Sequence, residues 1–446
     1  MNPCIFHADV NSAFLSWSAV ERLQKDPGAL DLRKVPSAVG GDISRRHGII
    51  TAKSIPAKKY GIRTGEPVVK ALQKCPDLIL IPSSFQTYRK FSSAFIRILK
   101  QHCSIVEQAS IDEAYLDMTG ELRRDMERAV RPDSFRNPAQ NGFPQETALS
   151  EEEKMWRACA WQEALSIKNE IRDTLGFTIN VGIAKNRLLA KTASDFSKPD
   201  KIHTLYPEEI PAKLWTLPIG ELHGCGHATA EKLEQIGIHT VGDAAHADRK
   251  LLQSLLGEKG GIYIWNSANG ISSSSVHASH DEAKSISNEL TTRFDITADN
   301  FEENAPPLVH RLSASVARRL QKAELYGTTV GISVKTNDFR RYSRQLKLPE
   351  STDRESDIET ISLRLLRQLV FGTDGLFASG KGVRLIGVAV SGLDHGDFRQ
   401  MNLFDYMENH QEEIKKAERR KKLDDMLREI RGKYGESSIH KGTDSR

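Results

Sequence analysis

Two periods of apolar residues alternate along this chain, and the switches between them mark out its elements. Residues 3–10, Pro-Cys-Ile-Phe-His-Ala-Asp-Val, are an apolar run of strand length that passes through Asn-Ser-Ala-Phe into a helix-like stretch over 16–24. Short β-rich pieces at 37–39 and 48–51 flank a basic segment at 53–59. Helical spacing returns over 91–102, with Phe91, Phe95, Ile98 and Leu99 on one face, and 104–118 reads as two short strands joined at Ile111-Asp112-Glu113. The pattern then breaks: 131–153 is rich in Pro, Asn, Gln, Ser and Glu, so a surface insertion is expected across 121–162. A helix at 161–175, a strand at 178–183 and a helix at 186–196 follow. Short helices punctuated by glycine fill 213–269, and the Ser-rich stretch 270–280 reads as a linker. Beyond it, helices at 307–323 and 358–369 with strands at 328–336, 341–348 and 383–393 predict an independent α/β unit, before a mixed-charge helix at 408–434. No internal repeat is visible.

Composition adds mainly exclusions. A length of 446 residues predicts two to four domains. No apolar run approaches the ~18–20 residues that span a bilayer, and the first residues lack the basic start of a secretory signal. Cys4, Cys75, Cys103, Cys159 and Cys225 are scattered and odd in number, which argues against a disulfide framework or a structural zinc site and for a reducing cytoplasm. With 63 basic against 59 acidic residues, total charge decides nothing about nucleic acid; only its distribution does.

The chemistry lies in the acids. Asp9 ends the first strand, and Asp112 and Glu113 sit at a hairpin bend. Adjacent acids on a strand point to opposite faces, but at a bend both can turn to one point, and pairing with the first strand adds Asp9. Crowded carboxylates call for cations, and hard oxygen donors select magnesium or manganese. Taken alone, an Asp after a strand and an Asp-Glu pair are ordinary turn and surface residues.

The surrounding residues raise the stakes. Phe6-His-Ala-Asp-Val-Asn-Ser-Ala-Phe14 and Ser110-Ile-Asp-Glu-Ala-Tyr-Leu-Asp117 resemble the two catalytic motifs of bacterial Y-family (DinB/UmuC-like) translesion DNA polymerases. The likeness continues at Val181-Gly-Ile-Ala-Lys-Asn-Arg-Leu-Leu-Ala-Lys191, at Ser197-Lys-Pro199, through 217–243 and over 286–393. It implies an α/β (α+β) multidomain right-hand polymerase. Its palm would comprise 1–10 and 77–192 with the insertion 121–162, its fingers 11–76, and its helix-hairpin-helix thumb 193–270. A linker at 271–285, an α/β little finger at 286–396 and a tail at 397–446 complete it.

By that resemblance Asp9, Asp112 and Glu113, with the Val10 carbonyl, hold two Mg2+ ions, Mn2+ being a substitute. Phe14 is the bulky gate that excludes a 2′-hydroxyl; read alone, it is a core residue of the following helix. Ser110 shapes its turn, since no His pairs with it as a nucleophile would require. Lys58 and Lys185 are the cations for the triphosphate. The fingers motif, Ala52-Lys-Ser-Ile-Pro-Ala-Lys-Lys-Tyr60, departs from the Thr, Tyr and Arg of many DinB-like members at Ala52, Ile55 and Lys58, leaving Ser54 or Lys53 to compensate.

DNA contacts are expected at Gly224 and Gly226, where a helix start meets phosphate without reading sequence, and on the basic segment carrying Lys335, Arg340, Arg341, Arg344 and Lys347. Gln400-Met-Asn-Leu-Phe404 resembles the peptide by which bacterial polymerases bind the sliding clamp, with Gln400 as polar anchor and Leu403 and Phe404 as apolar ones.

The sequence therefore predicts a cytoplasmic, monomeric, low-fidelity DNA-directed DNA polymerase acting on primer–template DNA and dNTPs, without proofreading. The competing reading is a clamp- and DNA-binding scaffold of a damage response that has lost catalysis.

Overall fold

Strand β1 (Ile5–Val10) is buried along nearly its whole length because it is the middle strand of a five-stranded sheet. A strand covered on both faces needs apolar residues throughout, which is why it reads as a run and not an alternation. The computed structural model describes residues 3–41, 48–129, 149–273, 275–278, 282–372, 374–396, 410–435 and 438. They fall into two compact units, 1–281 and 282–446.

In the first unit β1 leads into α1 (Ala13–Lys25), β2 (Ser37–Gly40), β3 (Ile50–Lys53), α2 (Ile55–Lys59), α3 (Val68–Lys74) and β4 (Ile79–Ile81). Next come α4 (Phe85–His102), β5 (Val106–Gln108), β6 (Glu113–Asp117), α5 (Thr119–Ala129) and α6 (Glu151–Leu175). Then follow β7 (Ile179–Ala184), α7 (Arg187–Asp195), β8 (Ile202–Leu205), α8 (His227–Glu234), α9 (Val241–His246), α10 (Arg249–Leu256) and α11 (Glu258–Ala268).

The large sheet has the order β5-β6-β1-β7-β8, with β1 antiparallel to both neighbours. Phe6, Ala8 and Val10 share a core with Trp17, Tyr88, Phe95, Leu99, Trp156 and Ile167. Ile5 and Tyr115 join the core of Leu189, Leu214, Leu233 and Val241 instead, so alternate residues of β1 serve different layers. A small sheet, β3-β2-β4, packs with α2 and α3 through Ala38, Ile50, Ala57 and Val68. Strand β4 thus joins the small sheet, although the boundary expected at 77 assigns it to the palm.

The insertion expected over 121–162 is corrected at both ends. Leu122 and Met126 of α5, and Trp156 and Ala160 of α6, are spaced one helical turn apart and lie buried in the main core. The acids 151–153, read as loop, form the first turn of α6, where they oppose the helix dipole and Ser150 accepts from the Glu153 N–H at 3.2 Å.

The second unit contains β9 (Ser285–Ile296), α12 (Phe301–Lys322), β10 (Tyr326–Thr336), β11 (Arg341–Thr352), α13 (Glu355–Phe371), β12 (Val383–Asp394) and α14 (His410–Tyr434). Its antiparallel sheet runs β11-β10-β12-β9. Val330, Ile332, Val334, Ile386, Val388 and Val390 meet α12 and α13 through Val309, Leu312, Val316 and Leu366. Two elements differ from expectation. Strand β9 has so many Ser, Asn, Thr and Asp residues, as an edge strand with one open face, that its period does not register. Helix α12 starts at Phe301, with Pro306 and Pro307 inside it instead of at its first turn.

Candidate active site

Register brings the acids together. Asp9 pairs with Glu113 across β1 and β6, and His7 pairs with Tyr115, so these four residues share one face. The ligand atoms of His7, Asp9 and Glu113 lie within 4.8 Å of one another. His7 is fully buried, its ring centroid 4.6 Å from that of Tyr115. Its Nδ1 is 2.8 Å from the Ser194 hydroxyl and its Nε2 is 3.3 Å from Glu113 Oε2. Asp112 stands outside this triad: its carbonyl accepts the Val10 N–H at 3.0 Å, and its carboxylate accepts the Ser110 hydroxyl at 2.7 Å. Ser110 is thus a turn residue.

Helix α7 covers the same face because β7 carries Gly182. A Cβ there would fall 1.9 Å from the Ala190 carbonyl oxygen, so only glycine lets the helix lie flush on the strand. That approach delivers Lys191, which donates to Glu113 at 2.5 Å, and Ser194. Just beyond the helix, Lys198 donates to Asp9 at 2.7 Å and also pairs with Asp195.

These contacts set two different carboxylates. The His7 contact, joined by Lys191 and opposed by burial, holds Glu113 at about 2, so it is anionic at neutral pH. Burial pushes Asp9 upward, and Lys198 reverses only part of that. Burial acts to lower the pKa of Lys191 and of Lys198, yet the neighbouring acids outweigh it and raise both. A half-buried oxygen-donor set that is already drawing cations fits magnesium or manganese chemistry. His7, Lys191, Ser194 and Lys198 were not singled out by the sequence reading; His7, Lys191 and Lys198 lie within the quoted motifs, and Ser194 lies in none of them.

Phe14 lies in the first turn of α1, after Ser12, whose left-handed backbone (φ 48°) turns the chain out of β1. It is half-buried and stacks on Tyr88, 4.4 Å between centroids and 11° between planes, with Phe85 edge-on at 6.2 Å. Lys58 on α2 is exposed, and Lys185 lies in the turn from β7 to α7, half-buried. Ser54 is corrected. Its hydroxyl accepts from Ala57 and Ser37 N–H groups and donates to the Val35 carbonyl, so this buried N-cap has no bond left for a nucleotide. Lys53 donates to the Thr64 hydroxyl at 3.2 Å, and burial, then Lys58, lowers its pKa.

Gly226 caps α8, while Gly224 (φ +84°) lies so close to Tyr263 that a Cβ would come within 2.4 Å of its ring. In the second unit, Lys335 pairs with Arg341, and Lys347 with Thr329, on the face of the sheet away from the helices. Arg344 pairs with Ile332, a core residue, so strand alternation places it on the opposite face, and the basic segment does not present all its cations on one face. Arg340 lies in the turn beside Asp338, and Arg341 also reaches Glu289 at 3.0 Å. Gln400, Leu403 and Phe404 lie outside the described residues.

Three family models match the chain. One described as the impB/mucB/samB family covers 8–195, its C-terminal domain covers 283–403, and a thumb domain described for DNA polymerase-iota covers 220–272. The chain is 39% identical to a DNA polymerase IV of Clostridium acetobutylicum over 439 residues, 98% of this chain and 97% of that one. It is 34% identical to DNA polymerase IV 1 of Bacillus subtilis, over 98% and 92% of the two chains. A solved Y-family DNA polymerase chimera, Dbh-Dpo4(243-245)-Dbh, shares the fold with a TM-score of 0.68 at 23% identity, covering 87% of this chain and 98% of its own.

Proposed function

This chain belongs to the impB/mucB/samB family of Y-family DNA polymerases, and from that membership we propose how its own residues carry out DNA synthesis. It is a low-fidelity, DinB-like DNA-directed DNA polymerase of translesion synthesis, adding deoxynucleotides to a primer 3′-hydroxyl. Asp9, Asp112, Glu113 and the Val10 carbonyl hold two Mg2+ ions, or Mn2+, which when bound supply charge stabilisation of the triphosphate and activation of the attacking oxygen. The observation that carries this reading is the cross-strand meeting of Asp9 and Glu113 on a half-buried, lysine-balanced face.

Around that face, His7 orients Glu113 while Lys191 and Lys198 balance the acids. Lys58, Lys53 and Lys185 meet the triphosphate, whose transfer depends mostly on positioning and charge. The Phe14 ring lies under the incoming sugar. The Gly224–Gly226 turn, Lys335, Arg340 and Arg341 contact DNA phosphates, and Gln400, Leu403 and Phe404 bind the sliding clamp. The enzyme works as a monomer in the cytoplasm; among the described residues no helix is long and apolar enough to cross a membrane. The scaffold reading is not favoured, because the carboxylates and their lysines are in place.

Primer extension with magnesium tests the assignment. Wild type extends the primer, while Asp112→Ala and Glu113→Gln each lose at least about 10³-fold, roughly 4 kcal/mol of transition-state stabilisation. A wild type that extends no primer on undamaged or lesion-bearing template overturns it. Full activity in Asp112→Ala would remove Asp112 alone from the metal site.

A further inference from the structure

The turn joining β10 to β11 closes with the Phe339 N–H donating to the Thr336 carbonyl at 2.9 Å and the Thr336 N–H donating to the Arg340 carbonyl at 2.9 Å. This is a tight turn followed by one left-handed residue, the position that glycine ordinarily fills. Here it holds Phe339, at φ +64°. A bulky residue resists that backbone conformation, and burial does not repay it, since Phe339 is 61% exposed.

The ring is flanked by charge. Lys335 Nζ from β10 and Arg384 Cζ from β12 each lie 5.0 Å from its centroid. Arg340 projects beside it, and Lys381, from the segment before β12, donates to the Tyr342 hydroxyl at 2.5 Å. The acid at the tip, Asp338, accepts from the Thr336 hydroxyl and lies 3.7 Å from Arg340 and 3.9 Å from Lys381. An apolar face between two cations complements a polymer that alternates apolar sugar with anionic phosphate.

We propose that Phe339 packs against a sugar or base of the primer–template duplex while Lys335 and Arg384 pair with the flanking phosphates. The inference rests on the polymerase reading and adds to it a non-ionic, sequence-independent contact at the turn. Aromatic contacts of this kind add affinity without releasing counterions, whereas each lysine or arginine on a phosphate adds to the salt dependence.

The test uses the full chain and a fluorescent primer–template duplex, with anisotropy titrations across a salt series. Phe339→Gly suits the backbone, so its melting temperature is at or above that of wild type. Its duplex affinity is expected to fall about tenfold at every salt concentration, with the slope of log K against log salt unchanged. Lys335→Met and Arg384→Met each reduce that slope by about one, and Phe339→Trp keeps wild-type affinity. Wild-type affinity in Phe339→Gly overturns the proposal. So does a slope loss like that of Lys335→Met, which would make the ring only a prop for its cations. Unchanged duplex affinity with altered self-association in sedimentation would place a second copy of the chain on the tip instead. Primer extension by wild type separates the two readings: if it succeeds while Phe339→Gly binds normally, only this inference falls.

Discussion

At Glu113 the local chemistry is asymmetric on purpose of geometry: a buried histidine and a lysine draw the carboxylate down to about 2, while Asp9 opposite is pushed up by burial. Glu113 is therefore anionic by itself at neutral pH, while burial works against the charged form of Asp9 and Lys198 works for it. Phe14 is placed with similar definition, since its ring lies nearly parallel to Tyr88 at 4.4 Å. Replacing it with alanine removes the ring proposed to lie under the sugar and an aromatic pair worth ~0.5–1.5 kcal/mol. Phe14→Ala is expected to accept ribonucleotides more readily with only modest loss of stability. Comparing kcat/KM for ribo- and deoxynucleotides checks this, and unchanged sugar discrimination would sink the gate assignment. Asp9, Glu113 and Phe14 were singled out by the resemblance of their motifs to the family. Lys191 and Lys198 were not, because nothing local says where a lysine side chain ends when its helix is drawn onto a strand through Gly182.

Between elements, His102 at the end of α4 bridges two carboxylates of α6, 2.7 Å from Glu163 and 2.7 Å from Glu170. The Glu163 bond raises its pKa, burial opposes this, and Glu170 adds to it, for a net rise above the ordinary value of 6.5. A raised folded-state pKa means that the stabilisation is complete below the unfolded pKa and is lost as pH rises through the folded one. Thermal melts of wild type and His102→Gln should therefore differ most near pH 6 and converge as pH climbs towards 9. A constant gap across that range would rule out the bridge as a pH-dependent clamp. The elements themselves were readable where one period ran unbroken, as in β1, α7 and β10. They were misread where an amphipathic helix began in acids, as in α6, or where an edge strand was polar on its open face, as in β9. Arg344 shows the same limit: proximity in sequence to Arg341 does not decide the face, because alternation and register do.

Across the whole molecule, near-neutral charge is an average over opposed local fields. Acids gather on the β1–β6 face with lysines against them, and cations collect at the β10–β11 turn. The clamp binding proposed for Gln400–Phe404 belongs to this scale, since tethering to a clamp would raise the local concentration of enzyme on DNA without touching the chemistry. Deleting 400–404 is expected to abolish stimulation by the clamp in a primer-extension assay while leaving basal extension intact; stimulation that survives would show the motif to be misassigned. The likeness of short motifs was enough to suggest the family and to single out candidate carboxylates, because those signals are carried by neighbours in the chain. Tertiary packing alone decided that His7, Lys191 and Lys198 surround Asp9 and Glu113, that Ser54 is consumed as a cap, and that Phe339 stands between Lys335 and Arg384. Each of those depends on which strands pair, in what register and how closely a helix approaches, and these are properties of residues far apart in sequence.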